Sequence, residues 1–253
     1  MNAGAAPEVV VEHTAEQLAA DTAARTLATL AAAVQARGVA HLVVTGGSIL
    51  EKVLASMAAA DAPLDWQRVH VWWGDERYVP ADSPDRNDRP AMKLLFDHVP
   101  VDPAKLHRMP ASDAGFGDDA EAAAASYAGE LAAAADGTSD GDVPAFDVIL
   151  LGVGPDGHCA SLFPGHPATR VTDSSVVAVH DSPKPPPTRL SLTLPALDAG
   201  REVWFVASGE SKADAVARAL STRDPVALPS SAPRGREHTL WLTDEDAAAK
   251  LNR

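Results

Sequence analysis

Apolar positions along the chain change their period repeatedly. Short hydrophobic runs alternate with longer Ala- and Leu-rich stretches in which apolar residues recur every three to four positions. The runs at 9–12, 39–45, 69–73, 146–151, 176–180, 189–194, 203–207 and 240–243 predict strands. The longer stretches predict helices. Thr14 followed by Gln17 forms a capping-box pattern, and the helix it opens should run to about Arg37, where Gly38 ends it. Further helices are expected after Ser48 to about Ala60, from Pro90 to His98, from Asp118 to Ala135, after Lys212 to about Leu220, and from Asp244 to Leu251. The run 146–151 is apolar almost throughout, as a strand covered on both faces requires.

Strands alternating with amphipathic helices give an α/β fold: a mostly parallel sheet with helices on both faces. Ligands of such sheets bind beyond the carboxyl ends of the strands. Four chemically unusual segments directly follow predicted strands: Thr45-Gly46-Gly47-Ser48, Gly74-Asp75-Glu76-Arg77, Gly152 to His158, and Ser208 to Lys212. In a parallel sheet they meet on one edge. There is no internal repeat. Asp136 to Asp142 (DGTSDGD) reads as a surface loop rather than a domain boundary.

Composition narrows the picture. At 46% hydrophobic and 22% charged residues, the 253-residue chain is an ordinary globular protein, not a disordered chain or coiled coil. Lys and Arg total 21 against 35 Asp and Glu, a net charge of −14 that repels nucleic acid and anionic membranes. An anionic ligand would therefore need the few cations concentrated at its site. The single cysteine, Cys159, makes neither an internal disulfide nor a thiolate metal cluster, which points to a reducing, cytoplasmic setting. Met1 to His13 has neither a basic start nor a long apolar run, so no targeting segment is expected, and no apolar stretch is long enough to span a membrane.

Gly46-Gly47-Ser48 exposes backbone N–H groups suited to an anion, with the Ser48 hydroxyl as a further donor or cap. A tight strand-to-helix turn would use the same residues, and the motif alone does not separate the two. It is not a P-loop, because no Gly-Lys-Ser/Thr follows. Gly152-Val153-Gly154-Pro155-Asp156-Gly157-His158 satisfies G-x-G-x-x-G after a strand, with Asp173 about 20 residues on. A dinucleotide site is nevertheless rejected. Pro164 and Pro167 allow only about two helical turns after Gly157, and Asp173 precedes the next strand instead of ending it. The segment reads as a sharp loop presenting Asp156 and His158.

An imidazole at this place suits proton transfer, although most of the nine histidines must be surface or satisfied core residues. Asp156 either orients the ring or closes an Asx turn. No H-x-x-x-H or H-E-x-x-H pattern indicates a metal. Cys159, among aliphatic neighbours, reads as packing. In Asp75-Glu76-Arg77 one acid is expected to be structural and Arg77 to offer a bidentate fork to phosphate; a structural Glu76 ion pair is the alternative. Lys184, within Pro183 to Pro187, Arg189 and Lys212 either join the same edge or lie on an exposed connector and a helix surface. Trp72 and Trp73 read as core.

Together these motifs resemble the 6-phosphogluconolactonase family. The matching pieces are GGS (46–48), GDERYVP (74–80) with Asn87 downstream, GVGPDGHCASLFPGH (152–166), PKPPPTRLSLT (183–193) and SGESKADAV (208–216). The resemblance implies a three-layer, Rossmann-like fold related to amino-sugar phosphate deaminases, ribose-phosphate isomerases and CoA transferases. Residues 1–253 would form a single α/β domain, with room for a small lid-like subdomain. It implies hydrolysis of 6-phospho-D-glucono-1,5-lactone to 6-phospho-D-gluconate in the oxidative pentose phosphate pathway, with no metal or organic cofactor. Carried onto this chain, His158 activates water and Asp156 steadies it. Gly46, Gly47, Ser48, Asp75, Arg77, Lys184, Arg189 and Lys212 contact the substrate and its phosphate. The ligand is then a small sugar-phosphate lactone, not nucleic acid or membrane. The assembly is a monomer or small homo-oligomer, and a transient link to glucose-6-phosphate dehydrogenase is admitted.

The chain departs from the family's usual GGSTP at Ile49-Leu50 and from DGHTASLFP at Cys159. Glucosamine-6-phosphate deaminases are the nearest alternative, but they read MDEY and GHIAFNEP where this chain has GDER and GHCASLFP. A sugar-phosphate sensor of a transcription regulator would need a helix-turn-helix and a basic face, for which neither length nor charge is present.

Overall fold

The computed structural model describes residues 5–135 and 142–251, so the expected loop from Asp136 lies outside the described residues up to position 141. The chain opens with β1 (Pro7–Glu12) and α1 (Ala15–Arg37). The Thr14 side chain accepts the Gln17 N–H, and Gly38, at φ 77°, turns its N–H back to the Val34 carbonyl, so α1 starts and stops where its caps dictate. There follow β2 (Ala40–Val44), α2 (Ser48–Ala59), β3 (Val69–Trp73), β4 (Asp75–Arg77), α3 (Asp88–Ala91), β5 (Leu106–His107), α4 (Ala120–Ala134) and β6 (Val148–Gly152). The last part holds β7 (Val176–Val179), β8 (Arg189–Leu192), α5 (Leu194–Leu197), β9 (Glu202–Ala207), α6 (Ala213–Ser221) and β10 (His238–Asp244).

Seven strands form a parallel sheet in the order β1-β10-β9-β6-β2-β3-β5, flanked by helices. From β2 the chain steps one way through β3 to β5, returns to β6 beside β2, and then steps the other way through β9 to β10. The direction reverses between β2 and β6, which is where a crevice opens in sheets of this type. The centre of the sheet is dry: Val148, Ile149, Leu150 and Leu151 are at most 1% exposed. Each such side chain contributes about 1.5–3 kcal/mol as an upper bound. Trp72 and Trp73 are both fully buried, as expected of core residues. α1 and α2 pack on each other and on the sheet.

Four expectations need correction. Asp75 to Arg77 is not a loop after β3 but a strand, β4, in a separate three-stranded antiparallel sheet ordered β4-β8-β7. The proline-rich connector between β7 and β8 holds no helix, so these strands pair antiparallel and do not join the parallel sheet. Residues 245–250 form successive turns and not a helix. Here the Asp244 carboxylate accepts both Ala247 N–H and Gly209 N–H, which ties the segment to the loop after β9. The expected helix at 90–98 is the short α3 continued by a wider π-type turn, Met92–Phe96.

Candidate active site

The loops after β2, β6 and β9 and the strand β4 do converge, on a cleft of about 370 Å³. That volume suits a sugar phosphate. Of the residues carried over above, Gly46, Gly47, Ser48, Asp75, Arg77, His158, Lys184, Arg189 and Lys212 all line it, and Asp156 stands directly behind His158.

The β6 loop folds on itself to present the imidazole. Gly157 N–H donates to the Gly154 carbonyl and Gly154 N–H to the His158 carbonyl, each at 2.9 Å. His158 Nδ1 lies 2.6 Å from Asp156 Oδ1. Asp156 thus fixes the orientation of the ring through its hydrogen bond with Nδ1. Burial raises the Asp156 carboxyl, but the hydrogen bond and charge of His158, with Lys184 4.0 Å away, outweigh it and hold the group well below the usual carboxylate range. The carboxylate therefore stays charged. Gly154 is required by close approach, since a Cβ there would lie 2.0 Å from His158 Nδ1. Phe163, buried, carries the His158 ring at 4.7 Å between centroids and has the Arg189 guanidinium 5.6 Å from its centre.

At the β2 loop, Gly47 and not Ser48 occupies the N-cap, at φ 135°, a conformation that favours glycine. No side chain caps α2, so the N–H groups of its first turn are free of a side-chain acceptor and border the cleft. The Ser48 hydroxyl is thus not the cap.

In the β4 segment Glu76 is structural, as one acid is expected to be, and Asp75 is buried and bonded as well. Glu76, fully buried, accepts N–H bonds from Arg77, Asn87 and Asp88, with Arg86 3.7 Å away as its charge partner. Burial pushes its pKa up to about 7 against the pull of Arg86. Arg77 donates to the Asp85 carbonyl at 2.6 Å, and its buried Nε has no protein partner. Asp75 is buried and engaged: it accepts the Ser161 hydroxyl at 2.7 Å, while Asn87 Nδ2 donates to its carbonyl at 3.2 Å.

The cations fall in two pairs. Arg77 stands opposite Arg189 in the β4–β8 register, and Arg189 donates to the carbonyls of Lys184, Pro185 and Pro186, which fixes the proline segment. Burial and Arg77 lower the Arg189 pKa. Lys212, lowered by burial and by Lys184, is near enough to Asp156 to feel its charge. With Lys52, five cations and one carboxylate, Asp75, border the cleft among the described residues, in a chain of net charge −14. Cys159 is fully buried, and burial raises its thiol pKa, so it packs and does not react. Among the described residues no group of His, Cys, Asp or Glu is arranged to hold a metal.

Sequence reasoning missed Lys52, Ser161 and Phe163. Lys52 had one available signal, its spacing of one helical turn from Ser48. Ser161 and Phe163 join the site only through tertiary contacts.

A family model described as "Glucosamine-6-phosphate isomerases/6-phosphogluconolactonase" matches residues 13–241. The chain is 50% identical to a 6-phosphogluconolactonase of Streptomyces coelicolor, over 98% of this chain and 95% of that protein. It is 49% identical to that of Mycobacterium tuberculosis, over 92% and 94% respectively. The crystal structure of 6-phosphogluconolactonase from Thermotoga maritima matches with a TM-score of 0.79 at 27% identity, covering 94% of this chain and 99% of that one. With the motifs in order and the cleft they build, the chain belongs to the glucosamine-6-phosphate isomerase/6-phosphogluconolactonase family.

Proposed function

We propose that this chain hydrolyses 6-phospho-D-glucono-1,5-lactone to 6-phospho-D-gluconate in the oxidative pentose phosphate pathway, with His158 as general base and no metal. The observation that carries the reading is an Asp-oriented imidazole opening onto a cation-rich cleft in an acidic protein.

With Nδ1 committed to Asp156, Nε2 of His158 takes a proton from water as the water oxygen bonds to C1 of the lactone. The carbonyl electrons move to oxygen. The tetrahedral intermediate collapses by breaking the bond from C1 to the ring oxygen, which takes the proton back from Nε2. Water is consumed and the acid is formed. A strained ester is electrophilic enough for base catalysis alone. Gly154 and Gly157 have spent their N–H groups inside their own loop, so the Gly46-Gly47-Ser48 head of α2 supplies donors to an anionic substrate oxygen. Arg77, Arg189, Lys184 and Lys212 hold the phosphate, and that remote binding energy fixes C1 before His158. Asp75, itself an anion, does not face phosphate; it holds Ser161 and Asn87 in place, balances the arginines and accepts from a sugar hydroxyl.

This reading places the enzyme in the cytoplasm, where an unstable lactone favours transient encounter with the dehydrogenase that makes it. The test is formation of 6-phosphogluconate from freshly generated lactone, against a no-enzyme control and against ammonia release from glucosamine 6-phosphate. His158→Ala should lower kcat by about 10²–10⁴ while substrate still binds. Undiminished turnover removes His158 from the mechanism, and ammonia release in place of lactone opening overturns the reading.

A further inference from the structure

We infer that Lys52 is an additional phosphate ligand of this cleft, held by Glu16 and transferred to the substrate when a phosphorylated lactone enters. The inference rests on the function proposed above and adds a residue to it.

Lys52 lies on α2 one turn beyond Ser48 and borders the cleft. Helical side chains lean toward the N-terminus, so its stem runs back over the first turn of α2, whose N–H groups lack a side-chain cap. Its Nζ is 2.6 Å from Glu16 Oε1, on the first turn of α1. Ala15, next to Glu16, also borders the cleft. The Asp244 charge reaches Glu16, and Asp244 in turn binds the Ser208 hydroxyl and Gly209 N–H, at the start of the loop that brings Lys212 to the cleft. The Lys52–Glu16 pair therefore bridges the heads of α1 and α2 beside two loops already assigned to the anion.

The pair is weakly held. The Lys52 side chain is 49% exposed and that of Glu16 74%, and exposed pairs of this kind contribute little to stability. Water solvates Glu16 once it is released. A phosphate dianion, lying near α2's positive end, offers Lys52 more charge and more acceptors than one carboxylate. Lysine suits the exchange, because a point charge on a flexible stem rotates between partners without a fixed fork geometry.

The test compares wild type, Lys52→Met, Glu16→Gln and the double variant on phosphogluconolactone and on unphosphorylated glucono-1,5-lactone, with calorimetric titration of inorganic phosphate. Lys52→Met should raise KM for the phosphorylated lactone about three- to tenfold at low salt with kcat retained, and weaken phosphate binding similarly. It should leave kcat/KM on the unphosphorylated lactone within about twofold of wild type. Glu16→Gln should lower the phosphorylated KM about twofold, and only when Lys52 is present. Equal effects on both lactones, no effect on either, or a Glu16→Gln effect that survives without Lys52 overturns the inference. If wild type opens neither lactone, the proposed function fails instead, and weakened phosphate binding by Lys52→Met would still support Lys52 as a ligand.

Discussion

Gly154→Ala probes whether the placement of the imidazole sets the rate. A methyl on Gly154 would lie 2.0 Å from His158 Nδ1, 2.2 Å from Cε1 and 2.4 Å from Asp156 Oδ1. Those atoms bracket the 2.6 Å hydrogen bond itself, so the methyl occupies the space the bond needs. Ordinary contact begins near 3.4 Å, so ring and carboxylate must retreat by more than about 1 Å. Gly154 is not among the residues of positive φ, so alanine is not strained there and the damage falls on the pair. A displacement of about 1 Å costs roughly 10²-fold in a positioned reaction, or about 2.7 kcal/mol of activation free energy. The stability loss should be small, since replacing glycine removes about 0.4–1 kcal/mol of unfolded-state entropy and offsets part of the clash. The assay is the coupled measurement of 6-phosphogluconate release, with kcat and KM resolved and melting temperature recorded alongside. A fall in kcat near 10²-fold with KM nearly unchanged is expected. Wild-type kcat, or a loss confined to KM, would refute the claim that the Asp156–His158 geometry sets the rate.

Arg77→Ala should raise KM by tenfold or more with a smaller change in kcat, because a charged contact to phosphate is lost; an unmoved KM would remove Arg77 from phosphate binding. Cys159, buried with its thiol pKa raised, should resist iodoacetamide in the native protein and react fully in denaturant; rapid native labelling would contradict the packing role. Burial, with His107 and Lys105 nearby, lowers His70 to about 4 from 6.5. Between those values the unfolded chain binds the proton and the folded one does not, so stability should fall as pH drops from about 6.5 to 4, by about 2 kcal/mol allowing for partial exposure. Glu76, raised to about 7, acts in the opposite sense, losing stability as pH rises from 4.5 to 7. The difference between wild type and His70→Gln in urea titrations isolates the histidine, and a difference independent of pH would refute the assignment.

Local signals read well where local physics decides. Thr14 and Gly38 set both ends of α1, and the uninterrupted apolar run of β6 announced a strand buried on both faces. The Asp156–His158 pair was legible because both residues lie in one tight loop. Pairings between distant segments were not legible. Nothing near Asp75 indicates that it pairs with Ser191 in a second sheet, and a strand of three residues leaves too short a pattern to detect. Phe163 looks like any core aromatic until the fold places His158 on one side of it and Arg189 within reach. The turns after Asp244 failed as a helix because a carboxylate shared with Gly209 outweighs a composition that favours helix.

The opposed guanidinium groups of Arg77 and Arg189 bear on how the protein should be handled. Like charges directly across an antiparallel ladder repel, and any small dianion settling between them would relieve that repulsion. On the function proposed above, phosphate and sulfate buffers should then compete with the substrate and not act as inert media. Kinetic constants taken in them will report displacement as well as affinity, and purification in such salts will yield a preparation that melts higher than one kept in chloride.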